Sequence, residues 1–139
     1  MSKADEFMHN TLVQQKTAND AMFNGDPQPY MAMWSHTDDV SLFGAWGPCK
    51  VGWPAVSKTF EWVGSRFSNG DMEFDVQVAQ AGELIAYSVG YERGKVVLDG
   101  GQKRPMTIRV THAYRWEDSR WRIVHRHGDF APVDESPPG

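Results

Sequence analysis

Thr107-Ile108-Arg109-Val110-Thr111-His112-Ala113-Tyr114-Arg115-Trp116, a turn at Glu117-Asp118-Ser119, and Trp121-Arg122-Ile123-Val124-His125-Arg126-His127 together decide the fold class. Apolar or aromatic residues alternate with charged or small ones at a period of two, the spacing of a strand with one buried face. The same period runs through Met72, Phe74, Val76 and Val78, and through Ile85, Tyr87, Val89 and Tyr91. Turn residues at Ala81-Gly82 and Asp99-Gly100-Gly101 separate these runs, so four long strands are expected after Asn69-Gly70.

Working back toward the N-terminus, the period becomes helical. Residues 2–24 read as a helix capped by Ser2, with Met8, Leu12, Ala18, Ala21 and Met22 on one face and Gly25 as its stop. Asp26-Pro27 restarts a short helix that ends near Trp34 or His36. Val40-Ser41-Leu42-Phe43 is a brief strand, Gly44-Ala45-Trp46-Gly47-Pro48 a loop, and Pro54 opens a third helix through about Phe67. Helices followed by a strand meander predict an α+β fold with an antiparallel sheet, its apolar face covered by the N-terminal helices. Residues 1–132 form one expected domain, and 133–139 a disordered, proline-rich tail.

Composition narrows the function classes. The 139 residues are 40% hydrophobic and 23% charged, with a net charge of −4, the profile of an ordinary globule. No extended basic stretch exists, which argues against a nucleic-acid backbone binder. No apolar run approaches the ~20 residues of a membrane span, no apolar leader follows the charged N-terminus, and Cys49 is alone. The expected setting is cytoplasmic, without membrane or nucleic-acid partners. Six Trp, seven Phe and four Tyr are an aromatic excess that suits either a core or a lined pocket.

Strand alternation places candidate chemistry. Residues at i and i+2 share a face, so the face of Ile108, Val110 and Ile123 is expected to carry His112, His125 and His127 with Tyr87, Tyr91 and Tyr114. Three readings follow: core-edge groups satisfied by neighbours and water, a small-molecule pocket with histidine as acid or base, or a metal site with Asp129 as fourth ligand. The opposite face would carry Arg109, Arg115, Arg122 and Arg126, either paired with Glu73, Asp75 or Glu92 across strands or forming a dimer interface. Asp38-Asp39 fits turn and capping roles, and Cys49 a small filler. No nucleophile elbow, P-loop, HExxH or Rossmann glycine pattern is present.

The order of helix, Asn24-Gly25-Asp26, short helix, Asp38-Asp39-Val40, Gly52 before a helix and four long strands resembles the nuclear-transport-factor-2-like superfamily. Trp121-Arg122-Ile123-Val124-His125-Arg126-His127 resembles its SnoaL-like, ketosteroid-isomerase-like branch, and with Ala131-Pro132 is also similar to the calcium/calmodulin-dependent protein kinase II association domain. The resemblance implies a cystatin-like cone, a strongly bent antiparallel sheet wrapped on a long helix around a pocket, and a homodimer. It implies isomerase, cyclase or dehydratase chemistry on a small apolar or aromatic ligand, or a non-catalytic binding or assembly domain, with no cofactor. At the steroid isomerases' catalytic positions this chain has Ala18, Phe43 or Gly44, and Thr111 or His112; at the kinase domain's pocket arginines it has Val89, His112 and Gly128. The candidate site is therefore His127 as acid or base and His112 and Tyr87 as orienting or oxyanion donors. Trp34, Trp46, Trp53, Trp62, Tyr91, Tyr114, His125 and Val89 are its expected lining.

Overall fold

The computed structural model describes residues 1–131, so the expected tail lies outside the described residues. Ser2 caps α1 (Lys3–Glu6) through a reciprocal box with Asp5. A π-helical turn, Phe7–Thr11, leads into α2 (Leu12–Phe23). The wider turn shifts the buried face: Phe7 is fully buried, while Met8, expected inside, is 44% exposed. From there Thr11, Gln15 and Asn19 are buried at four-residue steps beside Leu12, Ala18 and Met22. The helix thus carries a polar stripe into the core. After α3 (Gln28–Ala32) come β1 (Ser41–Phe43), β2 (Cys49–Val51) and α4 (Trp53–Arg66), then the long strands β3 (Phe67–Ala81), β4 (Ile85–Leu98), β5 (Lys103–Glu117) and β6 (Arg120–Phe130).

One six-stranded sheet has the order β2-β1-β6-β5-β4-β3. All neighbours are antiparallel except β1 and β6, which run parallel, so the expected purely antiparallel sheet is corrected at that pair. β2 falls where no strand was expected. Asn69-Gly70, expected to precede the strands, lies inside β3 at an irregularity between Ser68 and Asp71. Gly70 is needed there because a Cβ would come within 2.6 Å of Phe23. The N-terminal helices cover the concave face, where Phe7, Trp34, Val56, Tyr114 and Ile123 are buried.

Two further irregularities reverse the side-chain parity, since an extra residue on one strand turns every later side chain over. Tyr114 pairs with Ile123 but Ala113 pairs with His125, leaving Val124 as the extra residue of β6. The backbone of Ile123 bonds instead to Met33 and Ser35. Beyond it Arg126, paired with inward His112, faces the core, while His125 and His127 face outward. In β3 the extra residue is Gln77, which turns Val78 outward at 46% exposure.

On β4 the expected parity is inverted along the whole run. Ala86, Ser88, Gly90 and Glu92 are buried, whereas Ile85, Tyr87 and Val89 are 56%, 40% and 38% exposed. Small inward residues let the strands and helix approach closely. A Cβ on Gly90 would lie 2.2 Å from the Asp75 carbonyl oxygen. Gly90→Ala should therefore destabilise the fold by about 1–3 kcal/mol, read as a lowered urea midpoint at unchanged slope.

Candidate functional site

The concave face holds a cavity of about 60 Å³ between the helices and the sheet. Its walls are apolar: Met22 and Phe23 from α2, Leu42 from β1, Phe60 and Val63 from α4, Phe67 from β3 and Ile108 from β5. Trp46 and Trp62 close the outer end with their rings 5.9 Å apart, edge to face. The Arg66 guanidinium lies 4.1 Å from the Trp46 ring and is tied to Asp99 at 2.9 Å. Every wall segment belongs to a helix or strand except Gly44, Ala45, Trp46 and Pro48.

The floor is polar. Glu92 and Arg126 form a two-pronged ion pair with both contacts at 2.7 Å, their side chains 3% and 11% exposed. Asn19 donates a third hydrogen bond to Glu92 at 3.1 Å. Gly128 leaves room for the guanidinium, since a Cβ there would meet Arg126 Nη2 at 3.2 Å. Burial pulls the Arg126 guanidinium down, but Glu92 and Tyr30 together outweigh this and hold it above its ordinary value. Burial likewise pushes the Tyr30 phenol up to about 12, against the opposing pull of Arg126.

Behind Tyr30 runs a buried polar chain. Its hydroxyl and His112 Nε2 share a hydrogen bond of 2.6 Å. Gln15 Nε2 lies 3.4 Å from His112 Nδ1 and 3.3 Å from Nε2. Tyr114 donates to Gln15 Oε1, and Ser88 Oγ sits 2.9 Å from the Tyr114 oxygen. Burial, with Arg126 nearby, holds His112 well below the usual imidazole value, so the ring is neutral.

The expected site is divided by the sheet. His112 and Tyr114 face inward, but His125, His127, Tyr87, Tyr91 and Val89 lie on the outer face. His127 meets Val89, Tyr91, Arg109 and Asp129 in a shallow outer groove, and His125 accepts or donates at 2.7 Å to Ser41 Oγ. This corrects the shared face of three histidines and, with it, the metal alternative. Among the described residues no three His, Cys, Asp or Glu side chains cluster as metal ligands. Of the four expected tryptophan walls, Trp46 and Trp62 line the cavity. Trp34 is instead core, packed on Phe60 at 5.1 Å, and Trp53 stacks on His36 at 4.0 Å. Asn19, Tyr30, Glu92 and Arg126 were not expected in the site. The one available signal was Glu92 in phase with Ala86, Ser88 and Gly90, small residues suited to a face under a closely packed helix.

Neutral His112 has a consequence for stability. Below about pH 6.5 the unfolded imidazole takes up a proton that the folded one refuses, so stability falls as pH drops toward the depressed folded value. Unfolding free energies at pH 7, 6 and 5 should decline by up to ~1.4 kcal/mol per unit through this group. His112→Asn should flatten the slope to the smaller share left by His125, whose value burial also lowers. The carboxylate of Asp39, held at about 2 chiefly by Arg115, contributes only below this window.

Solved structures share this architecture. A candidate dehydratase of the NTF2-like family from Streptomyces avermitilis superposes with a TM-score of 0.75 at 15% identity, covering 93% of this chain and 99% of that one. A ketosteroid isomerase-like protein from Erwinia carotovora atroseptica gives 0.69 at 18%, covering 94% and 100%. A candidate calcium/calmodulin-dependent protein kinase type II association domain from Thiobacillus denitrificans gives 0.71 at 18%, covering 87% and 94%. No curated protein matches the sequence. Among the described residues no helix is long and apolar enough to cross a membrane. Residues 15–133 match the SnoaL-like domain, which spans most of the chain, and the protein belongs to that family.

Proposed function

We propose that the cavity binds a small, uncharged, mainly apolar or aromatic molecule carrying one carbonyl-type oxygen, and that the protein acts on it by proton transfer. The observation that carries this reading is an apolar cavity whose charges, Glu92 and Arg126, form one neutral pair. An anionic ligand would face the Glu92 carboxylate across an apolar-walled space, where like charges repel more strongly than in open water. A neutral oxygen instead accepts from the N–H groups that Arg126 does not spend on Glu92. Ring-sized ligands enter by displacing the 44–48 segment, since about 60 Å³ holds only a few water molecules.

In this reading Glu92, the one carboxylate in the lining, takes a proton from the carbon beside the carbonyl. The C–H electron pair moves into an enolate whose oxygen is held by Arg126 and Tyr30, and the proton returns at another carbon or a leaving group departs. His112 acts behind Tyr30. The outer-face residues His127 and Tyr87 have no part in it. The outcome is isomerase, cyclase or dehydratase chemistry.

A matched pair tests the ligand class. 2-Acetylnaphthalene should raise the melting temperature through linkage, and 2-naphthoate should not. In Glu92→Gln, where Arg126 loses its anion, naphthoate should stabilise. Equal stabilisation of the unsubstituted protein by naphthoate overturns the neutral-ligand reading. Proton transfer is read by deuterium exchange of the acetyl methyl in D2O, expected to be protein-catalysed and lost in Glu92→Gln. Binding without exchange would make the protein a non-catalytic binder.

The outer face favours a second copy of the chain as partner. Ile85, Tyr87, Val89 and Val78 form an exposed apolar patch, and its flanking charges are already paired in Arg109–Asp129 and Arg93–Asp75. A self-complementary, uncharged sheet face suits a two-fold homodimer. Sedimentation should show a dimer, and Tyr87→Glu with Val89→Glu a folded monomer.

A further inference from the structure

The wall segment Gly44, Ala45, Trp46 and Pro48 belongs to the turn that joins β1 to β2. Among the described residues the backbone hydrogen bonds of this turn stay within it: Gly44 N–H donates to Pro48 and Gly47 N–H to Gly44, both at 2.9 Å. Its ring contacts to the rest of the molecule all run through one side chain. The Trp46 indole lies 5.4 Å from the Phe67 ring, 5.9 Å from Trp62 and 6.4 Å from Phe130. The Arg66 guanidinium lies over the same indole at 4.1 Å. Three rings around a flat ring, with a cation over it, are the contacts that a bound aromatic molecule receives. Arg66 is itself fixed at two points. Its Nε and Nη2 donate to the Asp99 carboxylate at 3.2 and 2.9 Å, and its carbonyl accepts from the Asp99 N–H at 2.8 Å.

We propose that Trp46 is a built-in stopper: its indole fills the niche at the outer end of the cavity that the ring of a ligand takes on binding, and Arg66, aimed by Asp99, is the latch that sets how readily the indole leaves. The niche rests on the contacts just given; that a ring-bearing ligand replaces the indole there rests on the ligand reading above. The size of the cavity requires such an exchange. About 60 Å³ does not house a bicyclic ring while the indole is in place, so a ligand of that size binds only the fraction of molecules in which Trp46 is displaced. Apparent affinity is the intrinsic affinity multiplied by that fraction. Arg66 is not part of the lining, so replacing it removes no wall. Loosening the latch therefore strengthens binding, the opposite of what losing a contact to the ligand does. Trp46 also becomes the residue that sets ligand size, because a molecule small enough to sit beside the indole gains nothing from its departure.

Free indole is the probe, because it is the group that fills the niche. In the full-length protein, Trp46→Ala should bind indole about tenfold more tightly than the unsubstituted chain, read by calorimetric titration and by a raised melting temperature. Arg66→Gln keeps the Trp46 indole but removes the cation over it, and should tighten indole binding roughly three- to tenfold. Equal indole affinity in Trp46→Ala and the unsubstituted protein overturns the stopper. Unchanged or weaker affinity in Arg66→Gln overturns the latch. Should Trp46→Ala fail to fold, Trp46→Leu, which keeps a smaller apolar side chain, takes its place with the same expected direction. 2-Acetylnaphthalene should follow the same order of affinities. Variants that bind indole in that order but bind no 2-acetylnaphthalene uphold the stopper and fail the ligand reading alone.

Discussion

The Glu92–Arg126 pair is the interaction around which the interior is arranged. Two charges removed from water cost several kcal/mol each unless paired with good geometry and further hydrogen bonds. The fold meets that demand from four directions. The β6 irregularity turns Arg126 inward, small residues on β4 make space around Glu92, Gly128 leaves the guanidinium a berth, and α2 brings Asn19 to the carboxylate. Without the extra residue at Val124 the arginine would point to solvent and Glu92 would be a buried charge alone.

The buried polar groups and the packing are therefore coupled at the same residues. The polar stripe Thr11, Gln15 and Asn19 gives up apolar burial on the N-terminal helical run, and the sheet answers with Glu92, His112 and Tyr114. Around this polar seam, Phe7, Trp34, Phe60 and Ile123 supply ordinary core burial. The cavity lies where the seam meets the aromatic end of the sheet, so apolar walls and the polar pair Glu92–Arg126 line one space. Trp46 closes that end on a short loop, steadied by Arg66 and Asp99.

Much of the architecture is legible in local pattern. Periods of two and of three to four are set by backbone geometry, so α+β class, helix order and the four long strands follow from residue spacing alone. The inward placement of His112 and Tyr114 is legible in the same way. The failures have two causes. Parity along a strand holds only while no residue is inserted, and the irregularities at Gln77 and Val124 are set by pairing partners distant in sequence. On β4 the large apolar residues turned outward because the concave side had room only for Ala86, Ser88 and Gly90 beneath the helix.

The sequence by itself determined the elements, their order and the aromatic supply, because those depend on interactions among residues near one another in the chain. Only the tertiary structure decided which face of each strand is the inside. That choice moved His125, His127, Tyr87 and Tyr91 to the outer surface and brought Glu92 and Arg126 to the cavity floor, where helix docking set Tyr30 beside them. Its physical reason is that a charge or phenol is buried only where a partner from another element meets it, and such partners are supplied by strand register and helix docking, not by composition.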